Sequence, residues 1–98
     1  MTPEDLDHFL RGAGANARDY WIEGVHGSRL NDAHYLKRVG SEWVLGYSER
    51  GRMDEVARFA SFEEAVVPTV LALIRSKVLA KGAYGRLLIR IDEERSGR

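Results

Sequence analysis

The sequence predicts an α+β fold, an antiparallel β-meander of four to five strands with an N-terminal helix and a long C-terminal helix packed on one face. Short β-rich segments separated by turn residues follow one another through the middle of the chain, which is the pattern of a meander. Helix-capping residues precede an apolar helical pattern on either side of these segments. Because 98 residues is the length of one domain, we expect a single domain over residues 1–98.

Residues 2–13 carry both a start and a stop signal for a helix. Thr2 is a suitable N-cap, Pro3 fits the first helical position, and Asp5 can complete a capping box. Apolar residues then recur at helical spacing, and the glycines at positions 12 and 14 end the pattern.

The middle of the chain predicts consecutive strands, over residues 19–25, 35–39, 43–48 and 53–59. These segments are rich in tyrosine, tryptophan, valine and isoleucine, which favour strands. Residues 26–32 contain several turn formers and predict a loop. Between the last two strands we expect a three-residue hairpin loop with Gly51 in the left-handed conformation.

A second helix is predicted after residue 60. Ser61 and Glu64 form a capping box, and an apolar face at helical spacing continues to Val78. Pro68 lies inside this pattern and should bend the helix, and Gly82 should stop it.

Residues 85–92 fit two structures. Leu87, Ile89 and Ile91 alternate with Leu88 and Arg90, which favours a strand, although the same residues would suit a short helix. Residues 93–98 form a charged tail that we expect to fray.

Composition excludes several classes of protein. The chain has no cysteine, so disulfides, zinc–thiolate sites and thiol nucleophiles are absent. Fifteen basic and fifteen acidic side chains give a net charge of zero, which argues against nucleic-acid binding. The N-terminus lacks the blocks of a signal peptide, and the longest apolar run, 65–74, is too short to span a bilayer. We therefore expect a cytoplasmic protein without membrane contact.

No motif predicts catalysis, a metal or a cofactor. His8, His26 and His34 are separated in the sequence and form no ligand pair. The serines lack a nucleophile elbow, and the glycines form no phosphate-binding loop. We therefore expect a protein that is not an enzyme; the alternative is a site assembled from scattered residues, such as His34 with Glu49 or Asp54.

The strand aromatics instead suggest a binding surface. Helices on one face of a sheet leave the other face open to solvent, so some rings should be exposed beside charged residues. Tyrosine, tryptophan and arginine are enriched at interfaces. The candidate partner-binding residues are Trp21, Glu23, Tyr35, Tyr47, Glu49, Arg50, Arg52 and Asp54. The alternative is that loops and the tail cover the rings.

One stretch also resembles a known family. The residues that carry the resemblance are Tyr35-Leu36-Lys37-Arg38, Trp43-Val44, Tyr47-Ser48-Glu49-Arg50-Gly51, Phe59, Ser61, Glu64 and Ala65. In this order they resemble small immunity proteins of bacterial polymorphic-toxin and contact-dependent growth inhibition systems, over about residues 20–75. Gly46 departs from the pattern, which has a bulky strand residue there.

The resemblance implies a non-enzymatic protein that binds a cognate toxin domain and neutralises it by occluding its active site. Such toxins are commonly nucleases or NAD-degrading enzymes. The alternative is a small regulatory or nucleic-acid-binding module that uses the arginines at positions 86, 90, 95 and 98. An open edge strand would also allow a homodimer.

Overall fold

The protein is an α+β arrangement of a four-stranded mixed sheet and three helices, in a computed structural model that describes residues 1–27 and 32–97. The elements in chain order are α1 (Pro3–Gly12), a short 3-10 turn (Ala17–Asp19), β1 (Tyr20–Ile22), β2 (Ala33–Val39), β3 (Glu42–Glu49), β4 (Arg52–Phe59), α2 (Phe62–Arg75) and α3 (Gly82–Ser96). The core lies between the helices and one face of the sheet, where Leu10, Leu73 and Leu87 pack with Leu36 and Leu45.

Helix α1 confirms the prediction from its capping residues. The Thr2 hydroxyl accepts a hydrogen bond from the Asp5 backbone N–H at 3.1 Å, and the Asp5 carboxylate accepts one from the Thr2 N–H at 2.9 Å. These two bonds satisfy donors that the first helical turn leaves without partners. The helix ends at Gly12, and Gly14 has the positive φ of +98° that turns the chain away.

The sheet differs from the predicted meander at its first strand. Strands β2, β3 and β4 are antiparallel neighbours, but β1 pairs with β2 in parallel, with Tyr20 opposite His34. The prediction of an antiparallel sheet throughout is therefore wrong, and no fifth strand is present among the described residues. A parallel pair needs a crossover rather than a tight turn. The loop predicted over residues 26–32 lies partly outside the described residues.

The β3–β4 hairpin has a shorter turn than predicted. Glu49 pairs with Arg52, which leaves a loop of Arg50 and Gly51. Their φ angles are +51° and +81°, as a type I′ turn requires at both central positions. The left-handed conformation of Gly51 is confirmed, and the three-residue loop is wrong.

The C-terminal third contains two helices where the sequence predicted one helix and a strand. Helix α2 ends at Arg75, and Lys77 takes a left-handed φ of +64°. Gly82 begins α3 instead of stopping α2, and the strand predicted within residues 85–92 is wrong. Ala83 and Leu87 are buried four residues apart, which is the spacing of one helical face. Residues 93–96, which we expected to fray, continue this helix.

Gly46 is explained by the strand opposite it. Tyr35 and Gly46 are directly opposed in the β2–β3 ladder. A Cβ at Gly46 would overlap the Tyr35 ring and would lie 2.5 Å from the Asp54 carbonyl oxygen. The ring therefore occupies the space that a side chain at position 46 would need.

Replacing Gly46 with alanine should destabilise the fold by about 1–3 kcal/mol, because the added methyl group overpacks against a ring and a backbone oxygen. Urea unfolding of Gly46→Ala measures this loss. Gly12→Ala is the matched control, since a Cβ there meets nothing within 4 Å. A Gly46→Ala midpoint at or above that of Gly12→Ala would contradict this explanation of the glycine.

Candidate partner-binding surface

Two of the three aromatic residues proposed for binding are buried. On the sheet face opposite the helices, Trp21 and Tyr35 are only 7% and 3% exposed and pack with Val44 and Met53. The Trp21 indole also donates to the Gly27 carbonyl at 3.4 Å. The expectation that these two rings would be exposed is therefore wrong.

Tyr47 and Glu23 have contacts within the fold. Tyr47 is half-buried and lies on the helix side of the sheet, where its ring meets the edge of His34 with 5.0 Å between centroids. The Glu23 carboxylate accepts a hydrogen bond from the Arg38 backbone N–H at 3.1 Å. That bond links the segment after β1 to strand β2.

The other four candidates lie together at the end of the β3–β4 hairpin. Glu49 and Arg52 are the last pair of the ladder, Arg50 is in the turn, and Asp54 follows on β4. All four are exposed, and Arg52 contacts Asp54 with 3.3 Å between Nη2 and Oδ1. The structure thus groups these charges and separates them from Trp21 and Tyr35.

A second charged group, which the sequence analysis missed, lies on the open face of the same hairpin. The Arg58 guanidinium donates to Glu55 at 2.9 Å and to Glu42 at 3.1 Å. These hydrogen bonds raise the pKa of Arg58 and lower the pKa of Glu55. No local pattern in the sequence indicates this group, because Glu42 and Arg58 meet only through the β3–β4 register.

Strand β4 forms one edge of the described sheet, so one side of its backbone forms no hydrogen bonds with another strand of that sheet. The register with β3 shifts between Leu45 and Gly46, which leaves Val56 as an extra residue with 62% of its surface exposed. A bulge of this kind interrupts the regular edge that another strand would need for pairing.

A buried polar cluster lies at the opposite edge of the sheet. The Asp7 carboxylate is 1% exposed and accepts hydrogen bonds from the Tyr20 hydroxyl at 2.6 Å and from Arg11 Nε at 3.1 Å. His26 Nε2 lies 3.1 Å from Asp7, and His26 Nδ1 accepts the Ile22 backbone N–H at 2.9 Å. That N–H leaves Nε2 as the nitrogen that carries the proton.

The Asp7, Tyr20 and His26 side chains of this cluster all form hydrogen bonds with one another or with the backbone. Both histidine nitrogens form hydrogen bonds within the fold, and the tyrosine hydroxyl donates to the acid. The group therefore connects α1 to β1 and to the segment that follows. The sequence could not indicate this cluster, since Tyr20 and His26 lie 13 and 19 residues after Asp7.

Hydrogen bonding keeps Asp7 charged although it is buried. Burial acts to raise the pKa of Asp7, but hydrogen bonds from Tyr20 and Arg11, together with the charge of Arg11, outweigh it and lower the pKa. The pKa of Tyr20 is raised by burial and by its bond to the acid.

Acidic residues lie among the arginines that the alternative function would use. Arg90 pairs with Glu94 at 3.2 Å, and α3 carries three acids between its arginines at positions 90 and 95. Arg98 lies outside the described residues. Within residues 1–27 and 32–97, no group of three or more histidine, aspartate or glutamate side chains is placed to hold a metal ion.

Comparison with protein-family models, with curated proteins and with solved structures gave no match to this chain. No described helix has both the length and the apolar character that crossing a bilayer requires. The candidate surface is therefore defined by the geometry of the β3–β4 hairpin alone.

Replacing Asp7 with asparagine should destabilise the protein by about 2–3 kcal/mol at pH 7, because it removes a charged acceptor from buried donors. The folded-state pKa of Asp7 lies below its usual value, so this contribution is present above about pH 4 and is lost as the pH falls further. Urea midpoints at pH 7 and pH 3 should show the gap to the wild type narrowing. Asp92→Asn, an exposed acid, is the control; an equal effect at both positions would contradict the role of Asp7.

His34 should make stability depend on pH nearer neutrality. Burial lowers its pKa below 6.5, so below that pH the unfolded chain binds a proton that the folded chain does not. Stability should fall between pH 7.5 and pH 5 at up to about 1.4 kcal/mol per pH unit from this group. His34→Gln should reduce that fall in urea titrations. His8→Gln leaves His34 intact, so its stability should fall with pH as that of the wild type does. Identical pH profiles of stability for the two variants would rule out His34 as the cause.

Proposed function

We propose that this protein is an immunity-type inhibitor, which binds a cognate bacterial toxin domain and occludes its active site without catalysis of its own. The resemblance of residues 35–65 to small immunity proteins supports this proposal. The surface that would bind the toxin is the end of the β3–β4 hairpin, with Glu49, Arg50, Arg52 and Asp54.

The backbone of Arg50 is the observation that carries the proposal. Its φ of +51° lies in the left-handed region, which asparagine and glycine adopt more readily than arginine. An arginine there lowers the stability of the turn and places a guanidinium at its exposed tip. Strain of this kind is found at functional positions, where the side chain contributes more than the backbone loses.

The hairpin would meet a partner in one defined conformation. Its two-residue turn and the ladder between β3 and β4 fix the directions of the four charged side chains. A preorganised surface loses little conformational freedom on binding, so more of the interaction energy contributes to affinity. Charges of both signs at fixed positions also select a partner with the complementary pattern.

The Glu42–Arg58–Glu55 group is a second candidate contact on the open face of the same hairpin, away from its turn. Its ion pairs already hold the three side chains in place, so a partner would contact ordered charges. The proposed interface then lies on β3 and β4, and the buried rings of Trp21 and Tyr35 are not part of it. A substitution at either ring should affect protection through stability.

The toxin candidate is the product of the gene immediately upstream. Tagged protein should capture it as a one-to-one complex, and co-expression should abolish its toxicity. A candidate that remains toxic and is not captured, with no other partner recovered, would overturn the immunity proposal.

Charge reversal at the hairpin should weaken that complex. For the double variant Glu49→Arg with Asp54→Arg we expect at least about a tenfold increase in Kd, measured by titration calorimetry, and loss of protection. Arg50→Asn should keep the turn, because asparagine tolerates the left-handed conformation, and should weaken binding while raising the urea midpoint.

Arg18→Glu, an exposed reversal next to β1 at the opposite edge of the sheet, is the matched control and should bind as the wild type does. Binding that survives all hairpin reversals would remove the hairpin from the interface, and the complex itself would still test the proposed function.

A further inference from the structure

The outer side of helix α3 carries exposed apolar residues. Ile89 is 61% exposed and Leu88 is 43% exposed, and Tyr84 lies one turn before Leu88 with a similar exposure. Ala83 and Leu87 face the core, so Ile89 lies on the outer side of the helix, with Tyr84 and Leu88 partly exposed beside it. Two large aliphatic side chains at adjacent positions form a patch that water solvates poorly.

Gly85 lies in the same outer stripe, one turn before Ile89. A glycine inside a helix lowers helix stability relative to alanine. No described atom explains it here, since a Cβ at Gly85 would meet nothing within 4 Å. An exposed position without a side chain allows another backbone to approach this face closely.

Most charges of α3 are arranged against its helix dipole. Arg86 and Arg90 precede Asp92, Glu93 and Glu94, whereas the dipole favours acids near the start of a helix and bases near its end. Arg95, in the last turn, follows the preference of the dipole. The first turn contains no acid, and Lys81 at the N-cap makes no side-chain capping bond. Neither Arg86 nor Glu93 has an ion-pair partner among residues 1–27 and 32–97.

We propose that α3 is a homodimer interface, in which the same helix of a second copy packs antiparallel against it. Two arginines at positions 86 and 90, followed by acids at positions 92–94, make this part of the helix complementary to its own reversed copy. Across a two-fold axis near Ile89, Arg86 of each copy comes beside Glu93 of the other, so the ion pair forms twice. Leu88 and Ile89 cover each other at the axis, where Gly85 allows close approach.

This dimer is separate from the β3–β4 hairpin, so it leaves the proposed toxin-binding surface free. A pair of 15-residue helices, each about 22 Å long, buries less than the roughly 800 Å² per partner of a standard interface. The association should therefore be weak and concentration-dependent.

Sedimentation velocity of the full chain, from about 10 μM to 1 mM, tests the proposal. The wild type should shift from monomer toward dimer across this range, and Ile89→Arg should remain monomeric. Arg86→Glu and Glu93→Arg should each weaken dimerisation about tenfold, because each places like charges together at two symmetric positions. The double variant should recover most of the wild-type association.

Val56→Arg is the matched control, because Val56 is as exposed as Ile89 but lies on the β4 edge. It should dimerise as the wild type does. Far-UV circular dichroism and urea midpoints check that each variant is folded. We expect all of them to fold, because the substituted positions are exposed. A wild type that stays monomeric at 1 mM, a double variant without recovery, or a dimer lost in Val56→Arg and retained in Ile89→Arg would overturn the proposal.

Discussion

The buried carboxylate of Asp7 is the constraint on which one half of the fold depends. A charge with 1% exposure is stable only when its acceptor sites are filled, and here three side chains from three segments fill them. Tyr20 begins β1, His26 follows it, and Arg11 lies one turn along α1 from the acid. Helix α1 and strand β1 therefore have one relative position in which every one of these groups is satisfied.

The other half of the fold depends on the close contact of Tyr35 with Gly46. The Tyr35 ring lies over Gly46 in the neighbouring strand, and this contact fixes the β2–β3 register. If the two strands slipped by one residue, a side chain would lie where the ring now is. Trp21 and Val44 complete the same layer. The sheet face without helices is thus closed by its own side chains in this half.

Elements specified by short-range chemistry were predicted from the sequence, and those specified by distant contacts were not. The capping box of α1 and the left-handed Gly51 depend on neighbours within three residues. The direction of β1 depends on a crossover and on partners up to 19 residues away, which no local pattern encodes. In α3, Leu87, Ile89 and Ile91 alternate with other residues as they would in a strand. The alternation misled because Ile89 is apolar but exposed on the helix. For the candidate surface, the charged residues around the predicted turn identified the hairpin. The burial of Trp21 and Tyr35 could not be predicted, because it depends on the register of neighbouring strands.

The parallel pairing of β1 has a consequence for the order in which the chain assembles. Strands β2, β3 and β4 meet through two-residue turns, so they close small loops and can form early. Strand β1 must wait for β2 to be in place, and the Asp7 cluster that holds it needs α1 as well. We therefore expect folding to begin in the hairpins and to end at the N-terminal edge. Pulsed amide exchange during refolding would show this as protection of Leu45 before Ile22.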